Sequence, residues 1–237
     1  MAEGVSEIVL LPGLDGTGDL FERLERRLAT AMRVTVVRYP QDAGMSYADY
    51  ADVACAAIGD RRVALLGESF SGPVAVMTAA RLPKQIESLI MAATFLRSPW
   101  PGRLVRIAAG LDTRRAPVWL RDAVLMGRFR DAELSKTVSA IVERLPDGLR
   151  AARLRLVAGV DAGAEFSRLD CPILALHGAE DWLVPNWQIK AAVLTKPGAD
   201  MAVFPAAHML LQMRANDAAY AISKFVQTAR PPHETQR

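Results

Sequence analysis

The sequence predicts an α/β protein: a mostly parallel six-stranded sheet flanked by helices, with a block of helices inserted between the fourth and fifth strands. Three observations carry this expectation. Short apolar runs rich in β-branched residues alternate with helically spaced apolar residues along most of the chain. Such alternation requires right-handed crossovers, and so a parallel sheet covered on both faces. The stretch from Arg97 to Phe166 breaks the rhythm and holds no convincing strand. The 237 residues, 51% hydrophobic and 23% charged, suit one large domain of this kind with a modest insertion.

The elements follow in order. Ser6–Leu11 is the first strand, stopped by Pro12-Gly13. Leu20, Leu24 and Leu28 mark a helix over Asp19–Ala31, and Arg33–Arg38 forms the second strand. Ser46 caps a helix that runs to Ile58. The third strand, Arg62–Leu66, runs straight into Gly67-Glu68-Ser69 and an Ala/Val-rich helix from Ser71 to Arg81. Ile86–Ala93 is the fourth strand. Helical stretches then fall near Leu104–Leu111, Pro117–Met126, Asp131–Arg144 and Leu149–Val160. Alternation resumes with strand Pro172–Leu176, helix Asn186–Leu194, strand Met201–Phe204 and a final helix over Asn216–Thr228. The tail Arg230–Arg237 is expected to fray. The core is thus expected over 1–96 and 167–237, with the helical lid insertion over 97–166.

Composition excludes some functions. A net charge of +3 and an absence of like-charge runs give no footprint for nucleic acid. Cys55 and Cys171 match no metal spacing and read as free thiols of a reducing cytosol. The N-terminus lacks the charge-then-apolar pattern of a signal peptide, and the longest apolar run is too short to span a bilayer. A cytoplasmic protein with no membrane span, metal or cofactor is expected.

Ligands bind at the C-terminal ends of parallel strands. There the chemistry-bearing residues collect. Gly67-Glu68-Ser69-Phe70-Ser71-Gly72 joins a buried strand to a helix, so a sharp turn would lift the Ser69 hydroxyl above the sheet. Ser71 stands where a second glycine is usual, and is small enough to pack. A serine needs a base. Of three histidines, His233 lies in the polar tail and His177 ends the fifth strand; His208, in the loop after the sixth, is preferred. The orienting acid is then Asp181, after the fifth strand, with Glu180 its nearest competitor. His177 is expected to tie down the acid loop. The glycine-rich Pro12-Gly13-Leu14-Asp15-Gly16-Thr17-Gly18 matches neither dinucleotide nor P-loop fingerprints. It is better read as a loop whose backbone faces the nucleophile, with Leu14 and Phe70 N–H as oxyanion donors and their side chains shaping an acyl pocket.

The set PGLDGTG, GESFSG, HGAEDWLVP and PAAH, each after its strand, resembles the α/β-hydrolase superfamily over nearly the whole chain except the insertion. Pro12 departs from the His that usually precedes Gly13, and the family's N-terminal antiparallel hairpin is expected to be missing. The resemblance implies a serine carboxylic-ester hydrolase with an acyl-enzyme, and argues against the aspartate-dependent epoxide and haloalkane hydrolases. It leaves open carboxylesterase, thioesterase and perhydrolase chemistry, and a non-catalytic ligand receptor on the same fold.

The insertion points to substrate. Arg97–Arg155 carries thirteen basic and six acidic side chains, an excess of seven that leaves the rest of the chain at −4. A soluble arginine-rich surface is one explanation. The other is a lid that attracts an anionic acyl carrier, acyl-carrier protein or coenzyme A, as in the methyl-ester esterases of biotin synthesis in this superfamily. Trp100, Trp119, Leu125, Met126 and Phe129 either line an acyl channel or pack the lid on the core.

Overall fold

The structure is a computed structural model that describes residues 6–111 and 116–229. Met1–Gly4, the tail beyond Ala229 with His233, and Asp112, Arg114 and Arg115 of the insertion lie outside the described residues. Six strands form one sheet: β1 (Glu7–Leu11), β2 (Arg33–Val36), β3 (Val63–Glu68), β4 (Ile86–Ala92), β5 (Ile173–Gly178) and β6 (Ala199–Phe204). The order is β2-β1-β3-β4-β5-β6, and every pairing is parallel.

Period-two alternation sends neighbouring side chains to opposite faces. Ile8 and Leu10 meet α1 (Glu22–Leu28) and the C-terminal helix through Leu24, Leu28, Ile222 and Val226. Val9 and Leu11 meet α2 (Tyr47–Ile58) and α3 (Ser71–Arg81) through Tyr50, Ala54, Val74 and Ala75. Both faces are covered, which is why β3 is buried at all six positions. A capping box starts α2: the Ser46 hydroxyl accepts the Asp49 N–H, and the Asp49 carboxylate accepts the Ser46 N–H.

The helices between β4 and β5 are α4 (Gly102–Gly110), α5 (Val118–Met126), α6 (Ala132–Arg144), α7 (Leu149–Val157) and α8 (Gly163–Ser167). After β5 come α9 (Trp187–Thr195), α10 (Leu210–Met213) and α11 (Ala215–Ala229). Two short helices, α8 and α10, are too brief to show a helical repeat in sequence. Among its described residues the insertion has no strand, only one antiparallel bridge between Arg97 and Asp161, sealed by an ion pair of 2.9 Å. It is pinched at its base where chain enters and leaves.

The sheet order has one reversal of direction. From β1 the chain moves outward to β2, then returns to the other side of β1 with β3. The loops after β1 and β3 therefore part from adjacent strands and open a crevice between them.

Candidate active site

Ser69 sits in that crevice, in a left-handed conformation with φ of 50°. Such backbone strain persists only where the surroundings fix it. The Ser69 N–H donates to the Ala92 carbonyl at 2.9 Å, and the Thr94 hydroxyl donates to the Ser69 carbonyl. Gly67 and Gly72 supply the space. A Cβ on Gly67 would lie 2.4 Å from the Ser71 carbonyl oxygen, and one on Gly72 would lie 2.0 Å from the Thr94 hydroxyl oxygen. The glycine one position later than usual is thus the one that lets α3 approach β4.

Ser71 is more than a small residue tolerated in place of glycine. Its hydroxyl donates to the Pro12 carbonyl and accepts from the Tyr39 hydroxyl at 2.7 Å. It ties the start of α3 to the loop after β1.

The three residues expected as a triad come together from three loops. Ser69 Oγ lies 2.9 Å from His208 Nε2, and His208 Nδ1 lies 2.8 Å from Asp181 Oδ2. The other carboxylate oxygen, Oδ1, accepts the Val184 N–H at 2.9 Å. Glu180, the competing acid, points away and pairs with Arg128 at 2.6 Å. His177 is buried, with Nε2 donating to the Val184 carbonyl at 2.8 Å. It stands 3.8 Å from Asp181 and ties down the acid loop. Burial holds its imidazole below the usual histidine range, against the opposing charge of Asp181.

Burial also disfavours charge on Asp181 and His208, yet each favours the other's charged form more. Burial pushes the Asp181 carboxyl up, but the charge and hydrogen bond of His208 outweigh it, and the group lies below the usual range. Burial pushes the His208 imidazole down, but the charge and hydrogen bond of Asp181, with the charge of Glu68, hold it above the usual range.

Glu68 is a residue whose environment sequence did not disclose. It is buried directly behind Ser69, where Gln212 Nε2 of α10 donates to it at 2.8 Å and the Gly13 N–H supports it. Desolvation raises its carboxyl to about 7. His208 must be unprotonated to accept a proton, so activity should fall as pH drops through its raised value. Glu68→Gln removes a carboxyl that itself titrates near 7 and, where ionised, favours charge on that imidazole. The acidic limb of kcat/KM should then move to lower pH; a limb that stays put in a pH–rate profile contradicts this coupling.

The loop after β1 is fixed by Ser71 at Pro12, by Glu68 at Gly13, and internally by the Gly16 N–H donating to the Gly13 carbonyl at 3.0 Å. Among the described residues no acceptor takes the N–H of Leu14 or of Phe70. The Phe70 side chain departs from its expected place in an acyl pocket. It is 1% exposed, stacked on Tyr47 at 4.9 Å and edge-on to Tyr50 at 5.2 Å, so it anchors the turn in the core. Leu14 is half-buried against the same core.

The insertion touches the loops of the site. The Met209 N–H donates to the Leu125 carbonyl at 3.1 Å, and Met126 packs with Met209 in a small cluster beside His208. Of the apolar residues weighed for a channel, Met126 is therefore packing. Trp119 is exposed, Leu125 and Phe129 are half-buried, and Trp100 is exposed with its Nε1 donating to the Leu183 carbonyl of the acid loop at 2.9 Å. Arg153, counted with the basic surface in sequence, is buried. Exposed cations remain at Arg103, Arg106, Arg130, Lys136 and Arg155. No helix among the described residues is long and apolar enough to cross a membrane.

A single parallel sheet with its crevice at the β1/β3 reversal, and a Ser–His–Asp hydrogen-bond chain above it, defines the class. The chain belongs to the alpha/beta hydrolase family, whose model matches residues 8–221, and it is a hydrolase of that class. Two relatives are pimeloyl-[acyl-carrier protein] methyl ester esterases. That of Chromobacterium violaceum is 28% identical over 243 residues, covering 94% of each chain. That of Neisseria meningitidis serogroup B is 28% identical over 205 residues, covering 78% of each. Among solved structures, the enol-lactonase from Burkholderia xenovorans LB400 shares the fold with a TM-score of 0.82 at 17% identity, covering 95% of this chain and 92% of that one.

Proposed function

We propose that the protein is a cytoplasmic serine carboxylic-ester hydrolase working through an acyl-enzyme, with Ser69 as nucleophile, His208 as general base and Asp181 as its orienting acid. One observation carries this: the unbroken hydrogen-bond chain from Ser69 Oγ through His208 to Asp181. As Oγ attacks the ester carbonyl carbon, His208 Nε2 takes the hydroxyl proton and the carbonyl π electrons move onto oxygen. The Leu14 and Phe70 N–H groups hold that oxyanion, aided by the N-terminus of α3. Collapse breaks the bond to the alcohol, which leaves with the proton from His208. Water then gives its proton to His208 and attacks the acyl-enzyme, and the second collapse releases the acid and restores Ser69. Asp181 fixes the imidazole tautomer and stabilises the imidazolium without taking its proton.

The insertion over 97–166 acts as a lid, and its exposed arginines favour a finer reading. They suit an anionic carrier of the acyl group, and both relatives are named for an ester on acyl-carrier protein. The test compares one acyl methyl ester presented on acyl-carrier protein with the same acyl group as a small methyl ester, at low and high salt. The carrier-bound ester should have the higher kcat/KM at low salt, and the advantage should shrink as salt screens the arginines. Equal rates without salt dependence would remove the carrier and leave the ester hydrolase standing.

A further inference from the structure

Arg153 is a large side chain buried at 1% exposure, and it sits on insertion helix α7. Its neighbours Arg150 and Arg155 are half-buried and exposed. The guanidinium crosses from the insertion to the core. Nη1 donates to the Leu14 carbonyl at 2.9 Å and the Asp15 carbonyl at 2.7 Å. Nη2 donates to the Pro40 carbonyl at 3.1 Å, and Nε to the Tyr50 hydroxyl at 3.0 Å. All four acceptors are neutral oxygens. A buried charge is tolerated only when its donors are satisfied, and the planar fork of arginine fits several carbonyls at once.

The site of contact is specific. Leu14 and Asp15 carry the two carbonyls that directly follow the Leu14 N–H. Gly16, next in the loop, has φ of 71°, and a Cβ there would stand 2.4 Å from Arg153 Nη1. The glycine that could be mistaken for part of a phosphate cradle is where the guanidinium enters.

We propose that Arg153 is a positioning residue for hydrolysis: it holds the loop that presents the Leu14 N–H, and so makes oxyanion binding depend on a seated insertion. This rests on the assignment of Ser69 and Leu14 above. Arg153 touches no reacting atom. Its loss leaves the Leu14 and Asp15 carbonyls without their donor, and the loop relaxes away from the geometry that the tetrahedral intermediate requires. Small misplacements of such groups cost rate more than binding.

Arg153→Met and Arg153→Lys are compared with wild type on a p-nitrophenyl ester and on a trifluoromethyl ketone, whose adduct with Ser69 carries an oxyanion. In Arg153→Met, kcat should fall roughly 10- to 100-fold with KM little changed, and ketone affinity should fall by a similar factor. Arg153→Lys keeps the charge and cannot reach all four oxygens. It should show the same kcat-centred loss at smaller size, with a cooperative thermal melt, which keeps the test decisive if the Met variant does not fold. A folded variant whose kcat and ketone affinity match wild type, or whose loss lies in KM alone, overturns the role of Arg153. Wild-type protein with neither turnover nor adduct overturns the assignment of Ser69 and this role with it.

Discussion

Ser69→Ala is expected to lower kcat on an activated ester by roughly a million-fold, and His208→Ala by about as much. The size follows from how the groups are linked. The Ser69 hydroxyl is a poor nucleophile until His208 Nε2, 2.9 Å away, accepts its proton. Remove either partner and the other has nothing to act on. The losses should therefore not add: the Ser69→Ala/His208→Ala double variant should be no slower than either single one in a steady-state assay. What remains should still exceed the uncatalysed rate by about 10³-fold, because the oxyanion donors and the binding cleft stay in place. Additive losses in the double variant would mean that the two side chains act independently, and would contradict the proposed relay.

Asp181→Asn comes next, with an expected loss of about 10⁴-fold in kcat. The Asp181 side chain is buried and makes two bonds, accepting from Val184 N–H through Oδ1 and meeting His208 Nδ1 through Oδ2. An asparagine would keep its oxygen for the Val184 N–H and turn its amide nitrogen toward His208. An N–H donor there makes Nδ1 an acceptor and moves the imidazole proton to Nε2. The tautomer that faces Ser69 can then no longer take a proton. Shape changes little and the fold should survive, so rate and fold separate cleanly. A near-normal kcat for Asp181→Asn would move the orienting role elsewhere.

The parts of the protein that sequence disclosed are those written in local pattern. The β3–Ser69–α3 passage is legible because a buried strand, a turn of small residues and an apolar helix are contiguous. His208 and Asp181 are legible because a parallel sheet delivers the loops after β5 and β6 to the same edge as Ser69. His177 was legible for the same reason, since a histidine at the end of a buried strand can only reach into the adjacent loop. The rest depends on pairings between segments far apart in the chain. Arg153 lies in LRAARLRLV, where spacing alone cannot tell a surface cation from one threaded into the core. Its cue was the unexplained glycine at Gly16, 137 positions away, which acquires meaning only when the guanidinium is seen to fill the missing Cβ. Nothing in the sequence marks Glu68, the residue before Ser69, as buried; its partner Gln212 lies on α10, a four-residue helix that sequence did not show. Ser71 looked like a tolerated change from glycine, and its two hydroxyl bonds join segments from three parts of the chain.

The hydrolase assignment turns on whether Ser69 is activated by His208. Reaction with a fluorophosphonate, followed by intact mass and peptide mapping, measures this directly. One equivalent of label on Ser69 is expected in the wild type, none in Ser69→Ala, and far slower labelling in His208→Ala. Label on another residue, or labelling of Ser69 at an unchanged rate without His208, would contradict it.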